Sequence, residues 1–243
     1  MNTKNPSISV IIPAYNEEKY IARCLSSLKK QTYKDFEIIV VDNNSTDKTA
    51  EIAQKYGARV VKENIQGMTP ARERGFREAK AEIIARTDAD TILPPNWLEE
   101  IYKSFQRNPK AVGILGIFTS PYKWLPDVLF SIYSKIWFCD LAHLLTGHYN
   151  LIGPNMALKK SAWQKVKVHT DDKIVHEDID LACHLAEIGP IIYEPKITIV
   201  LSYRRITENP LKGTLQYLTE YPYRYFRTIL IHHPHFARKH INV

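Results

Sequence analysis

Cysteine is scarce in this chain: Cys24, Cys139 and Cys183 are the only three in 243 residues. An odd number at wide spacing excludes a disulfide framework and a cysteine zinc site, and fits a reducing cytoplasm. The opening residues, Met1 to Ser7, are polar and lack the apolar stretch of a secretory signal, so export by that route is not expected. Internal repeats and low-complexity linkers are absent too, and one catalytic-sized domain is the expectation. Uninterrupted apolar runs are also lacking. The longest, residues 128–145 (VLFSIYSKIWFCDLAHLL), carries Lys135 and Asp140, whose charges are costly at mid-bilayer. It reads as a buried or interfacial helix.

What is present is ordinary for a folded protein, 44% hydrophobic and 24% charged, which excludes wholesale disorder and a polytopic membrane protein. The formal charge of +7 requires an anionic partner, and nucleotides, nucleic acids and membrane surfaces all meet that description.

From residue 7 to 117 the pattern alternates: a short β-branched run, a turn rich in Asn, Asp or Gly, then a segment of helical period. Strands are expected at 8–12, 37–41, 59–62, 83–87 and 112–117, with helices beginning near Glu17, Thr46, Thr69 and Asn96. This predicts βα units in an α/β fold with a mostly parallel sheet flanked by helices. Tyr20, Ile21, Cys24, Leu25 and Leu28 recur at helical spacing and read as one buried stripe. After Thr119 the regularity gives way to an aromatic and proline-rich stretch. A strand is expected at 197–201, and residues 211–231 are again helical in period, rich in Tyr and Arg, ending in the basic HHPHFARKH tail. His232, His233 and His235 in that tail match no metal spacing and read as surface residues.

In open parallel sheets ligands sit at the carboxyl ends of the strands, and every polar motif falls there. Pro13-Ala14-Tyr15-Asn16-Glu17-Glu18 follows the first strand. Its carboxylates suit a helix first turn, or Glu17 and the backbone could meet a nucleotide base and ribose. Asp42-Asn43-Asn44-Ser45-Thr46-Asp47 ends the second strand; Ser45 or Thr46 reads as a helix cap, Asp47 as a first-turn charge, and Asp42 as a contact for a base N–H. Asp88-Ala89-Asp90 ends the strand preceding it, and two carboxylates one residue apart share a divalent cation well.

Together these motifs resemble the family 2 glycosyltransferases of the GT-A fold, a Rossmann-like architecture. Gln66-Gly67 with Ala71-Arg72-Glu73-Arg74-Gly75 looks like a further segment of that family, with Glu73 in place of the usual asparagine. Gly153-Pro154-Asn155-Met156-Ala157 resembles the segment before the acceptor region, and could equally be a turn into a strand; His176-Glu177-Asp178-Ile179-Asp180 resembles the Glu-Asp motif of inverting members. The resemblance implies a donor pocket of Pro13, Ala14, Tyr15, Glu17, Asp42, Asn44, Arg72, Asp88, Ala89, Arg204 and Arg205. It implies Mg2+ or Mn2+ on Asp90 and Asp88, and Asn155 and Glu177 on the acceptor side. Asp178 is implied as the general base, free to take the acceptor proton, because inversion needs a carboxylate opposite the departing diphosphate. A helix-start charge is its plainer reading, and the only one needed for Asp180.

The sequence-level reading is thus a hexosyltransferase-type enzyme with its catalytic domain over residues 1–205 and a basic, Tyr/Arg-rich helical extension, 206–243, packed on it. Its expected partners are a nucleotide-diphosphate sugar and a sugar, lipid-linked or cell-envelope acceptor. Its expected place is the cytoplasm, including the inner face of the cell membrane, where the C-terminal helix could rest on anionic lipid. A basic membrane-surface or nucleic-acid-binding module without catalysis leaves the ordered carboxylates unexplained, since carboxylates repel phosphate backbones. No nucleic-acid partner is expected. A nucleotidyltransferase would need a Gly-rich basic loop where Pro13 to Glu17 stand.

Overall fold

The run Ile8–Ala14 forms β1, and all of it is buried, as befits an inner parallel strand covered on both faces. Alternate side chains divide between two cores: Ile8, Val10, Ile12 and Ala14 join one, Ile11 the other. Phe36–Asp42 (β2), Arg59–Lys62 (β3) and Ile83–Arg86 (β4) build a parallel array around it in the order β3-β2-β1-β4. Gly113–Thr119 (β5), Met156–Lys159 (β6) and Ile191–Val200 (β7) extend it as β6-β5-β7, with β6 antiparallel to both β4 and β5. The mostly parallel sheet is therefore as expected, although β7 begins at Ile191 rather than at 197. The computed structural model describes residues 5–119, 129, 132, 135–169, 175–200, 202 and 204–236. Tyr203, the side chain of Arg205, the tail's Arg238 and Lys239, and most of the proline-rich stretch after Thr119 lie outside the described residues.

Helices Ile21–Lys29 (α1), Thr49–Lys55 (α2), Met68–Glu78 (α3) and Trp97–Arg107 (α4) cover the sheet. The buried face of α1 includes Ile21, Cys24, Leu25 and Leu28, while Tyr20 stands half-buried just before it. Two expectations need correction. Glu17 and Glu18 are not first-turn carboxylates, because α1 starts only at Ile21. Asn16 takes a left-handed φ of 54°, and the Glu17 and Glu18 amides donate to Thr49 Oγ1 (2.7 Å) and Asp47 Oδ2 (3.1 Å). The loop is thus committed to the neighbouring loop rather than to a helix. Nor does Ser45 or Thr46 cap α2; Asp47 Oδ1 accepts from Thr49 N at 2.9 Å instead.

Gly75 explains how closely α3 seats on the sheet. A Cβ there would stand 2.2 Å from Ile11 Cγ2 and 3.0 Å from Val41 Cγ2, both on buried strands.

Beyond β5 the described helices are Leu141–Thr146 (α5), Lys160–Trp163 (α6) and Glu177–Ala186 (α7), then the turns Arg204–Glu208, Pro210–Leu215 and Tyr221–Arg227. The C-terminal region is helical as expected and lies on α7. Ile229 packs with Ile179 and Cys183, and Thr228 Oγ1 accepts from His176 N at 2.8 Å. Within residues 128–145, Leu129, Ile132, Ile136 and Leu144 are exposed and Cys139 is buried. No helix among the described residues is long and apolar enough to cross a membrane.

Asn155, expected on the acceptor side, has its side chain wholly engaged within the fold. It is 0% exposed and occupies the irregularity where the pairing of β5 with β7 slips between Leu115 and Ile117. Its Nδ2 donates to Ile117 O (2.8 Å) and Ile197 O (3.0 Å), and its Oδ1 accepts from Trp97 Nε1 (2.8 Å). The slip leaves carbonyls that need a donor, and Asn155 supplies it. Asn155→Ala strands three buried polar groups, so a loss of about 3 kcal/mol is expected in urea unfolding, at about 1–3 kcal/mol per unsatisfied group. An unchanged unfolding midpoint would return Asn155 to the list of ligand contacts.

Candidate active site

The loops after β1 and β2 are laced together at the carboxyl edge of the sheet. Asn16 Oδ1 accepts from Thr46 N (2.8 Å), Asn16 N donates to Ser45 Oγ (3.1 Å), and Asn43 N donates to Ala14 O (2.9 Å). Asp42 ends β2 with its Oδ1 accepting from Ser45 N (3.0 Å). Asn43 reaches the next loop, donating to Glu63 O and Ile65 O and accepting from Gly67 N. Asn44, at a left-handed φ of 68°, donates to Asn64 O at 3.1 Å. Pro13 and Ala14 are buried and offer backbone only, whereas Tyr15 is exposed.

Against this edge Arg204 joins two motifs. Its guanidinium grips the Glu17 carboxylate with both terminal nitrogens, Nε stands 3.0 Å from Asp90 Oδ2, and the Tyr20 ring lies 4.9 Å away. Burial pushes the Glu17 carboxyl up, with Asp90 adding to the effect and Arg204 offsetting it in part. Burial disfavours the Arg204 charge, yet Glu17 and Asp90 hold it above the ordinary guanidinium range. Asp88 is pushed up to about 6, first by burial and then by Asp90, Asp178 and Glu177, against the pull of Arg86. Ala89 between the two aspartates is buried.

A second cluster lies beside it. Arg86, the last residue of β4, donates to Asp178 in the first turn of α7 and stands 3.5 Å from Asp88 Oδ1. The other Asp178 oxygen accepts from Gly153 N at 2.8 Å. Gly153 is required there, since a Cβ would meet Arg86 Cζ at 2.4 Å. Asp178 is 4% exposed and is not free, which corrects the expectation. Burial alone would raise its carboxyl, but Arg86, His176, Arg72 and the Gly153 amide hold it below the usual range. Glu177 beside it is only half-buried.

Arg72, expected to contact the donor, is fully buried in α3, donating to Glu73 Oε1 (3.0 Å) and Glu177 O (2.7 Å), with Asp178 at 3.8 Å. Glu73, the departure from the family pattern, is its partner and also accepts from Trp163 Nε1 at 3.0 Å. Sequence reasoning gave Arg86 no role, although an arginine closing an apolar strand was a signal. It also misread His233, which is 1% exposed and lies 2.8 Å from Asp180 Oδ1, because a buried carboxylate in α7 needs donors. His232 is half-buried and His235 exposed.

The sequence model of the family described as Glycosyl transferase family 2 matches residues 9–167. Among curated relatives, the glycosyltransferase GlyG of Streptococcus pneumoniae is 38% identical over 113 residues, covering 44% of this chain and 38% of GlyG. Chondroitin synthase of Escherichia coli is 26% identical over 209 residues, covering 79% of this chain and 28% of that protein. The chain therefore spans well under half the length of these relatives. Among solved structures, the mannosyltransferase PcManGT from Pyrobaculum calidifontis, in complex with GDP-Man and Mn2+, aligns with a TM-score of 0.66 at 21% identity, over 89% of this chain and 65% of that one. Glucosyl-3-phosphoglycerate synthase from Mycobacterium tuberculosis, with Mn2+, UDP and glucosyl-3-phosphoglycerate, aligns with a TM-score of 0.62 at 18% identity, over 90% of this chain and 80% of that one. Such likenesses establish a shared GT-A fold. With strand-end motifs in order and the family's model spanning most of the sheet, this chain belongs to glycosyl transferase family 2.

Proposed function

We propose that the chain transfers a sugar from a nucleotide-diphosphate donor to an acceptor hydroxyl with inversion at the anomeric carbon. The observation that carries this reading is the convergence of Glu17, Asp88, Asp90 and Arg204 at the carboxyl edge of a parallel sheet. There Arg204, its fork engaged by Glu17 and its Nε by Asp90, brings positive charge to the edge, the half-buried Asp88 and Asp90 present hard oxygens, and Asp42 and Tyr15 offer a carboxylate and a ring to the nucleoside. Arg205 is a second candidate for the diphosphate.

The donor set fits Mg2+ or Mn2+: two carboxylates one residue apart, one of them pushed up to about 6, chiefly by burial. Asp90 and Asp88 would hold the ion, which when bound offsets charge on the departing diphosphate. In the displacement the acceptor oxygen bonds to the anomeric carbon as the bond to the diphosphate oxygen breaks, and the hydroxyl proton passes to a carboxylate. Asp178 is the proposed base. Its burial and its two partners favour a second reading, in which the half-buried Glu177 takes the proton and Asp178 positions α7.

A lipid-linked acceptor is favoured by the C-terminal helical turns. Leu211, Leu215, Phe226, Leu230 and Ile231 are exposed there among Lys212, Arg224 and Arg227, a mixture suited to an anionic membrane surface.

Four outcomes are expected. In calorimetry with a panel of nucleotide-diphosphate sugars and Mn2+, one donor binds and Asp90→Ala weakens it at least about tenfold, or 1.4 kcal/mol; binding of none under any metal condition would remove the transferase reading. Asp178→Asn removes the carboxylate charge to which the buried Arg86 guanidinium donates and costs about 3–5 kcal/mol of stability. Glu177→Gln leaves stability intact, so its turnover decides the base: lost turnover assigns the proton to Glu177, and retained turnover leaves it with Asp178. The chain floats with anionic liposomes at low salt, less so at high salt, and Leu230→Glu with Ile231→Glu abolishes flotation; if wild type stays with the protein fraction, the lipid reading is withdrawn.

A further inference from the structure

Away from the carboxyl-edge site, four potential ligands converge on one point. His169 Nδ1 lies 2.7 Å from Asp180 Oδ1, His233 Nε2 lies 2.8 Å from it, and His184 Nε2 lies 3.7 Å from it; all four atoms fall within 4.8 Å of one another. Asp180 is fully buried, and its second oxygen is fixed by His169 N at 2.8 Å, which leaves Oδ1 aimed at the three imidazoles. Hydrogen bonding accounts for only part of this. His184 Nε2 is enclosed, faces Asp180 from beyond hydrogen-bond reach, and has no partner among the described residues. An enclosed ring nitrogen without a hydrogen-bond partner, beside a buried carboxylate and two further imidazoles, is a donor set that a metal ion would satisfy.

We propose that His169, Asp180, His184 and His233 bind one Zn2+ ion in a closed, structural site. Three imidazole nitrogens and one carboxylate oxygen suit zinc, whereas the harder ions expected at Asp88 and Asp90 prefer oxygen alone. Zinc bonds of about 2.0–2.1 Å set tetrahedral ligands about 3.3 Å apart, within the present spread of 2.7 to 4.8 Å. The nitrogens that would ligate already face the carboxylate, so no ring has to turn over. Asp180 and His184 share one face of α7 four residues apart, His169 precedes that helix and His233 follows the last helical turns. One ion therefore clasps three separated stretches and fastens the C-terminal segment to the helix that carries Asp178. The neighbouring group of Glu187, His233 and His235 shares His233 but has two exposed members and three ligands, and is the weaker set.

The test uses the full chain, stripped with a chelator, reloaded with Zn2+ and dialysed. Elemental analysis is expected to find one retained Zn2+ per chain in wild type and in Asp90→Ala. His184→Ala breaks no hydrogen bond seen in the structure, and should lower Zn2+ affinity by at least the roughly 10–100-fold that an outer-shell loss costs. Zn2+ should raise the Tm of wild type but not of His184→Ala. Co2+ substituted into wild type, a readout independent of any variant, should give the intense visible absorption of a tetrahedral site. Absence of retained Zn2+ in wild type, retention undiminished in His184→Ala, or a weak octahedral Co2+ spectrum each overturns the proposal. None of these readouts depends on sugar transfer.

Discussion

The Arg86–Asp178 pair ties the sheet to the helix that closes the site, and much of the surrounding geometry follows from it. Both groups are nearly inaccessible to water, so each alone would be costly to bury. Together, with Gly153 N on the second carboxylate oxygen and Arg72 close by, they form a compensated unit. A buried ion pair of this kind is weak as a source of net stability but strong as a constraint, because losing one member strands the other. It demands a glycine at 153, a helix beginning at Glu177, and a strand that ends in arginine.

The same economy of charge organises the donor edge. Asp88, Asp90 and Glu17 come from two different loops, and burial, with their mutual repulsion adding to it, raises the Asp88 and Glu17 carboxyls. Arg204 is the positive charge that answers them, and it arrives from beyond the last strand. The entry of the C-terminal region is therefore fixed by carboxylates of the strand-end loops. The depression lined by Ser7, Lys80, Ile83 and Phe105 lies at the opposite end of these strands, far from this charge.

Sequence and structure agree where the signal is local. The β-branched runs, the stripe of α1 and the Asp-X-Asp turn depend on spacing within a few residues, and all fall where their pattern places them. Disagreement arises where a residue's partner is remote. Glu17 and Arg204 are 187 residues apart, so nothing beside Glu17 distinguishes a first-turn charge from an ion-pair partner. Asn155 follows Gly-Pro like a turn or ligand asparagine, yet its task is set by a slip between β5 and β7 that no residue near it encodes. His233 sits in a basic, proline-containing tail, and its carboxylate is 53 residues upstream. Arg72 carried a family motif, but Glu73 beside it and the Glu177 carbonyl engage its donors.

Helix α7 links the two buried charge clusters. Asp178 and Asp180 both stand in its first turn, where the helix dipole favours negative charge, yet two residues place their side chains about 200° apart around the axis. One side chain therefore faces Arg86 and the sheet, and the other faces the histidines and the C-terminal segment. Each buried carboxylate needs its own compensation, and each gets it from a different part of the chain. A helix held on both faces by charge cannot roll without exposing one of them, so Glu177, between the two anchors, is presented at a fixed position beside Asp88. The same two anchors therefore hold both carboxylates proposed as base, Asp178 and Glu177, in one fixed relation to the sheet.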